Sequence, residues 1–245
     1  MGVIPARFAS SRFPGKPLAP IAGSPMIQHV VEGARTAKRL SEVLVATDDP
    51  RIVDACARFG AQAVLTSAEH PTGTDRLAEV ALGLDTDVIV NVQGDEPLIE
   101  GFVIDAAVAA LEEAPEAQMA TVVHAAGPEA LDDPNRVKVV LDRQGDALYF
   151  SRSPIPYTRD ADDLAPAPIW QHVGLYAYRT TFLQQLVSLE RGELERREQL
   201  EQLRVLEHGH RIRCAVIEGW HSTPVDAPAD VAAVEAALRR RAAGT

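Results

Sequence analysis

The chain has 245 residues, 46% hydrophobic and 24% charged, which is enough to bury a core in one large α/β domain or two small ones. Its formal net charge of -11 argues against a nucleic-acid or anionic-membrane surface, so an anionic substrate must be met by local Arg/Lys clusters or a divalent metal. Only Cys56 and Cys214 occur, without C-x-x-C spacing, and there is neither a basic-then-apolar leader nor a membrane-length apolar run; the expected compartment is the cytoplasm.

Residues 2–4 predict a first strand, and behind it comes PARFASSRFPGKPL, residues 5–18. That loop gathers Arg7, Arg12 and Lys16 among Ala9, Ser10, Ser11 and Gly15. Guanidinium forks and an ammonium suit phosphate oxygens, and small residues let backbone N–H groups approach, so the loop reads as a polyphosphate cradle. The plain alternative is a turn with solvated charges. It fits neither G-x-G-x-x-G nor the P-loop pattern. Residues 25–40 predict a helix, 43–46 a strand, and 50–60 a helix begun by Pro50 with Ile52, Val53 and Ala57 inward. A strand at 61–65, a helix at 75–84 and a strand at 88–92 follow. Continuous apolar strands alternating with helices predict an α/β fold with a mostly parallel sheet flanked by helices.

After residue 115 the strands crowd together, at 119–124, 137–141 and 147–150, before a Pro-rich loop at 154–168 and a strand at 173–178. A helix over 193–208, a strand over 212–217 and a helix over 229–241 complete the chain. The reading is one domain with a nucleotide-binding core, 1–115 and about 210–245, and a smaller inserted lobe, about 116–209. Arg239, Arg240 and Arg241 read as a solvated tail.

Several polar clusters sit at the ends of these elements. In NVQGDEP, residues 91–97, Gln93, Asp95 and Glu96 lie beyond the carboxyl end of an apolar strand, where open α/β sheets bind ligands. A carboxylate there can hold Mg²⁺ against phosphates, or the Asp-Glu-Pro can simply cap the next helix. Asp226, in the run Ser222 to Asp230, is either a second metal ligand or, with Asp230, an N-cap. The loop 70–76 brings Thr72 and Gly73 to a helix start, with Thr74 or Asp75 as cap and Arg76 toward ligand or solvent. Arg152 and His172 with Tyr176 stand beside apolar strands. Glu198, Glu201 and Gln202 are spaced to share one helical face, either solvated or hydroxyl-binding.

In combination these segments resemble the 3-deoxy-manno-octulosonate (Kdo) cytidylyltransferase family, the CMP-Kdo synthetases. The resemblance runs through PARFASSRFPGKPL, ATDD, HPTGTDRLAEV, VNVQGDEPLI, PNRVKVVLD, ALYFSRSPIP, HVGLYAYR, LEQLRVLEHG and VDAPADV, in order over nearly the whole chain. It implies a nucleotide-diphospho-sugar-transferase-like sheet and a reaction in which the sugar's anomeric 2-hydroxyl attacks the α-phosphorus of CTP, releasing diphosphate. It further implies Arg7, Ser11, Arg12, Lys16, Thr72, Gly73 and Asp95 at the nucleotide, and Lys16, Asp95 and Asp226 as the catalytic set. Asp95 and Asp226 would hold Mg²⁺, and Arg76, Gln93, Arg152, His172, Tyr176, Glu201 and Gln202 would line the sugar-acid side. A homodimer formed through the second lobe and a role in lipopolysaccharide biosynthesis are implied in the same way. Two departures stand out: the chain starts four residues before Pro5, so a truncated first strand is expected, and Pro224 replaces an expected glycine. The competing readings are a cytidylyltransferase for an 8-amino or sialate-type sugar acid, a nucleotide-sugar-dependent glycosyltransferase, and a non-catalytic nucleotide-binding module.

Overall fold

The computed structural model describes residues 1–9, 13–159 and 168–243. The chain divides into two compact units, Met1–Asp105 with Ser222–Thr245, and Ala106–His221.

The first unit is built on strands without a polar side. Strand β1 (Gly2–Ala6) is followed by a small hairpin, β2 (Pro20–Ile21) and β3 (Ser24–Pro25), and by helix α1 (Met26–Ala34). Next come β4 (Val43–Thr47), α2 (Pro50–Arg58), β5 (Gln62–Leu65), α3 (Gly73–Ala81), β6 (Val88–Asn91) and α4 (Gly101–Glu113), which leads out of the unit. Every residue of β4 is buried, as expected of a strand covered on both faces. Pairing is parallel throughout in the order β6-β1-β4-β5, with β1 in register with β4 from Gly2↔Val43 to Ala6↔Thr47. The first strand is therefore paired over its whole length. Helix α2 starts as its sequence dictates: Asp49 accepts from Arg51 N–H and Pro50 takes the position that needs no donor. Its buried stripe is Ile52, Ala55 and Cys56; Ala57, expected inward, is exposed because 3.6 residues per turn carries it past the core.

The second unit contains β7 (Ala117–Ala126), β8 (Lys138–Leu141), β9 (Ala147–Ser151), β10 (Ile169–Arg179), α5 (Thr180–Ser188), α6 (Glu193–Glu198), α7 (Gln202–Glu207) and β11 (Arg211–Ile217). Strands β7, β10, β8 and β9 pair antiparallel in that order, and β11 joins β7 in parallel. Pairing with β7 places β11 in this unit, so its bounds lie outside the expected 116–209 at both ends. Helices α4 and α5 were not foreseen; α4 is buried through Val103, Ile104, Ala107, Val108 and Leu111, an apolar density that blurs the helical period.

The expected helix over 193–208 is two helices. Gln199 adopts φ 53 at the end of α6, and a left-handed residue ends an α-helix. The pieces are locked by a buried pair: Arg204 Nε and Nη2 each donate over 2.7 Å to the two oxygens of Glu195. Glu207 of α7 also accepts from Leu194 and Glu195 N–H at the start of α6, satisfying donors that a helix cannot satisfy itself.

Helix α8 (Val231–Ala242) belongs to the first unit. Val234 packs with Ile21, Met26, Leu98 and Val225, with Phe13 against the same cluster. The arginine tail is pinned rather than simply solvated: Arg241 pairs with Glu100 at 2.6 Å and donates to the Leu98 carbonyl, and Arg239 pairs with Glu235 at 3.4 Å.

Arg204→Ala should lower unfolding free energy by up to about 3–5 kcal/mol, because it leaves the buried Glu195 carboxylate with only the exposed Arg191, 3.4 Å away. Urea denaturation is the measurement, and a loss below about 1 kcal/mol would show that Glu195 finds other compensation.

Candidate active site

Parallel strands β1, β4 and β6 end together, so Arg7, Asp48 and Gln93–Glu96 all leave the carboxyl edge of the first unit's sheet. Two glycines permit this. A Cβ on Gly94 would stand 2.7 Å from the Pro5 carbonyl oxygen, so only glycine lets the β6 loop pass against β1. Gly15 holds φ 71, donates its N–H to the Phe8 carbonyl over 2.9 Å, and heads the short helical turn Lys16–Leu18.

That turn delivers the Lys16 ammonium to a set of oxygens. Its Nζ donates to Asp95 Oδ2 and to the Val225 carbonyl, each over 2.8 Å, and lies 3.9 Å from Asp226 Oδ1. Three segments far apart in sequence therefore converge on one cation. Asp226 is not the cap of the last helical segment: its own N–H and that of Ala227 both donate to Asp230 Oδ2 over 2.8 Å. Its carboxylate keeps half its surface, and Asp95 30%. Among the described residues no group of three or more His, Cys, Asp or Glu forms a metal cage. Two part-exposed carboxylates already gathered around a positive charge fit Mg²⁺, a hard ion that keeps waters and shares its shell with phosphates.

Glu96 is buried beside them. Its carboxylate accepts from the Ser222 hydroxyl and from Thr223 N–H over 3.2 Å. Burial pushes its pKa up to about 7; the Ser222 hydrogen bond opposes that rise and Asp95 and Asp226 add to it.

The other first-unit residues divide by how their polar groups are used. Half-buried Arg7 donates Nη2 to the His70 carbonyl, and the His70 ring meets Glu79. Thr72, not Thr74 or Asp75, is the N-cap of α3, closing a reciprocal box with Asp75, and Gly73 opens the helix. Gln93 lies in the loop between β6 and Asp95. Arg76, expected toward a ligand or solvent, is wholly buried: it donates to Thr66 and over 3.1 Å to Asp48 Oδ2. Burial lowers its pKa, with Asp48 opposing. A buried guanidinium needs a carboxylate, and the ATDD motif supplies it. Ser11 and Arg12 lie outside the described residues.

In the second unit, His172 and Tyr176 stand on β10 with ring centroids 5.4 Å apart. The Thr121 hydroxyl donates to the Leu175 carbonyl over 2.8 Å, which leaves its oxygen to accept from His172 Nε2–H at 3.0 Å. His172 is held neutral by burial, its pKa pushed down to about 3, and burial raises the Tyr176 hydroxyl well above its usual value. Gln202 is buried with Nε2 lacking a partner among the described residues, while Glu201 is half-buried at the start of α7. Glu198 does not share their helical face, because the break at Gln199 turns it to β9. There it accepts from the Ser151 hydroxyl over 2.6 Å and from Arg152 N–H over 2.9 Å.

The Arg152 guanidinium is spent on backbone, with Nε to the Glu198 carbonyl at 2.7 Å and Nη1 to that of Pro134 at 2.8 Å. Lys138, which the sequence reading passed over, is wholly buried and donates to the carbonyls of Asp133 and Arg152 over 2.9 and 2.6 Å. The available signal was a lysine inside the apolar strand VKVVL.

His172 carries a pH signature. Its folded pKa, about 3, lies below the ordinary 6.5, so between those values the unfolded chain binds more protons and stability falls as pH drops. The slope limit is about 1.4 kcal/mol per pH unit. His172→Gln should lose stability less steeply between pH 6.5 and 4.5 in urea titrations than the parent does; parallel declines would refute the assignment.

Residues 1–212 match the family described as Cytidylyltransferase. A 3-deoxy-manno-octulosonate cytidylyltransferase of Syntrophotalea carbinolica is 52% identical over 244 residues, covering 97% of both chains. An 8-amino-3,8-dideoxy-manno-octulosonate cytidylyltransferase of Shewanella piezotolerans is 50% identical over 241 residues, 96% of this chain and 97% of its own. The solved structure of a CMP:2-keto-3-deoxy-manno-octonic acid synthetase complexed with CTP aligns with a TM-score of 0.92 at 44% identity, covering 98% of each chain.

Proposed function

The chain belongs to the cytidylyltransferase family, and from that premise we propose that it transfers CMP from CTP to the anomeric 2-hydroxyl of 3-deoxy-manno-octulosonate. The hydroxyl oxygen bonds to the α-phosphorus, the bond from that phosphorus to diphosphate breaks, and the hydroxyl proton leaves to solvent. The observation that carries the reading is the convergence of Asp95 and Asp226 on the Lys16 ammonium at the carboxyl edge of a parallel sheet. A nucleotidyl transfer needs that charge arrangement, since a triphosphate and a sugar acid together bring about five negative charges into one site.

Asp95 and Asp226 would hold Mg²⁺, which when bound offsets phosphate charge and lowers the pKa of the attacking hydroxyl. Lys16 would follow the charge that grows on the departing diphosphate, and Arg7 would take phosphate oxygens in exchange for the His70 carbonyl, roles that their present bonds to Asp95 and His70 support. The unpartnered Gln202 Nε2 supports a hydroxyl-reading role on the sugar side. A second reading, an 8-amino sugar acid as acceptor, is favoured by a relative of nearly equal identity. We further propose a cytoplasmic homodimer: no helix among the described residues is long and apolar enough to cross a membrane, and Leu148 of β9 and Val216 of β11 expose apolar surface in the second unit.

Diphosphate release from CTP with Mg²⁺ and either sugar acid is the deciding assay, and no release with either would reject both readings. Lys16→Ala should lower kcat by about 10²–10³ with unchanged circular dichroism. Gln202→Ala should raise KM for the sugar while leaving that for CTP within about twofold, since a site built for particular hydroxyls discriminates through them.

A further inference from the structure

We propose that Glu96 is a positioning residue that sets Asp226, by docking the strap Ser222–Asp226 onto the Asp95 loop. The inference rests on the reading of Asp226 as a metal ligand and goes beyond it, because Glu96 itself faces away from solvent. Among the described residues the strap belongs to no strand, yet five of its polar groups find partners. Ser222 Oγ–H and Thr223 N–H donate to the two oxygens of Glu96. Val225 N–H donates to the Asp95 carbonyl over 2.9 Å, and the Val225 carbonyl accepts from Lys16. The Val225 side chain, wholly buried, fixes the strap from below against Leu98 and Val234. Asp226 N–H is then received by Asp230.

Pro224, which lacks a backbone donor, is the exposed residue of the strap, so the proline takes no buried hydrogen bond away. The Asp226 carboxylate is thus aimed by its neighbours on both sides while remaining half exposed itself. Glu96 is adjacent to Asp95 in the chain and bonded to the strap that carries Asp226. A single carboxylate therefore couples the positions of both proposed ligands, much as outer-shell partners orient the ligands of metal sites.

The test uses the full-length enzyme and Ser222→Ala, Glu96→Ala and Asp226→Asn variants, with Mn²⁺ binding followed by calorimetry, amide exchange along 222–226, and Mg²⁺ activation of turnover. Ser222→Ala and Glu96→Ala should weaken Mn²⁺ binding about 10–100-fold and speed exchange at Thr223 and Val225, and excess Mg²⁺ should restore kcat because the ligand is still present. Asp226→Asn should lose binding without rescue. Wild-type Mn²⁺ affinity in both Ser222→Ala and Glu96→Ala, beside a damaged Asp226→Asn, overturns the positioning role alone. Wild-type behaviour in Asp226→Asn overturns the metal reading and the inference with it. A loss of turnover with intact Mn²⁺ binding, or one that excess Mg²⁺ does not restore, marks a merely structural effect and also overturns the inference. If Glu96→Ala does not fold, Ser222→Ala decides.

Discussion

One ammonium group organises the first unit's carboxyl edge. Asp95, Glu96 and Asp226 crowd negative charge at the end of a sheet in a chain whose net charge is already -11. Without a cation between them, Asp95 and Asp226 would repel each other across the contact that joins their segments. Lys16 prevents this, and much of the local structure serves to bring it there. Gly15 takes the left-handed conformation that starts its turn, Gly94 lets the Asp95 loop close on β1, and α8 supplies the apolar floor under Val225.

The second unit solves a different problem, holding charged groups inside a protein without exposing them. Lys138, Arg152 and Glu198 are each matched to backbone or hydroxyl partners, so the loop after β9 is fixed by fully satisfied hydrogen bonds rather than by apolar contact. Gln202 Nε2 and His124 Nε2 are the exceptions, buried without a partner among the described residues. A buried donor left unmatched costs free energy, which sets Gln202 apart from the satisfied groups around β9.

The parallel sheet was legible because fully buried strands leave uninterrupted apolar runs, and β1, β4 and β6 carry them. The break at Gln199 was not legible, since the residues on either side keep a helical period and glutamine gives no sign of a left-handed conformation. Asp95 and Asp226 were readable as a pair through the family motifs, but their link through Glu96 was hidden. The partners Ser222 and Thr223 lie 126 and 127 positions away, and no local spacing records such a contact. The arginines show the limit most clearly. Arg7, Arg76 and Arg152 each stand beside a strand end in a motif, and sequence alone cannot say which guanidinium is already spent.

Geometry separates the three by what a phosphate or carboxylate would displace. Among the described residues Arg7 is bonded to a single carbonyl, so a phosphate oxygen would replace it with no loss in hydrogen-bond number there and a gain from the charge-assisted bond. Arg76 would have to leave a buried carboxylate, abandoning Asp48 in a dry site at a cost of several kcal/mol. Arg152 would have to free the carbonyls of Pro134 and Glu198, and with them the loop whose shape they hold. By this reasoning Arg7 has the least to give up, while Arg76 and Arg152 are bound in place at the ends of β4 and β9. The arginines thus differ in what they would lose by moving: a single carbonyl bond for Arg7, a buried ion pair for Arg76, and the hold on a loop for Arg152.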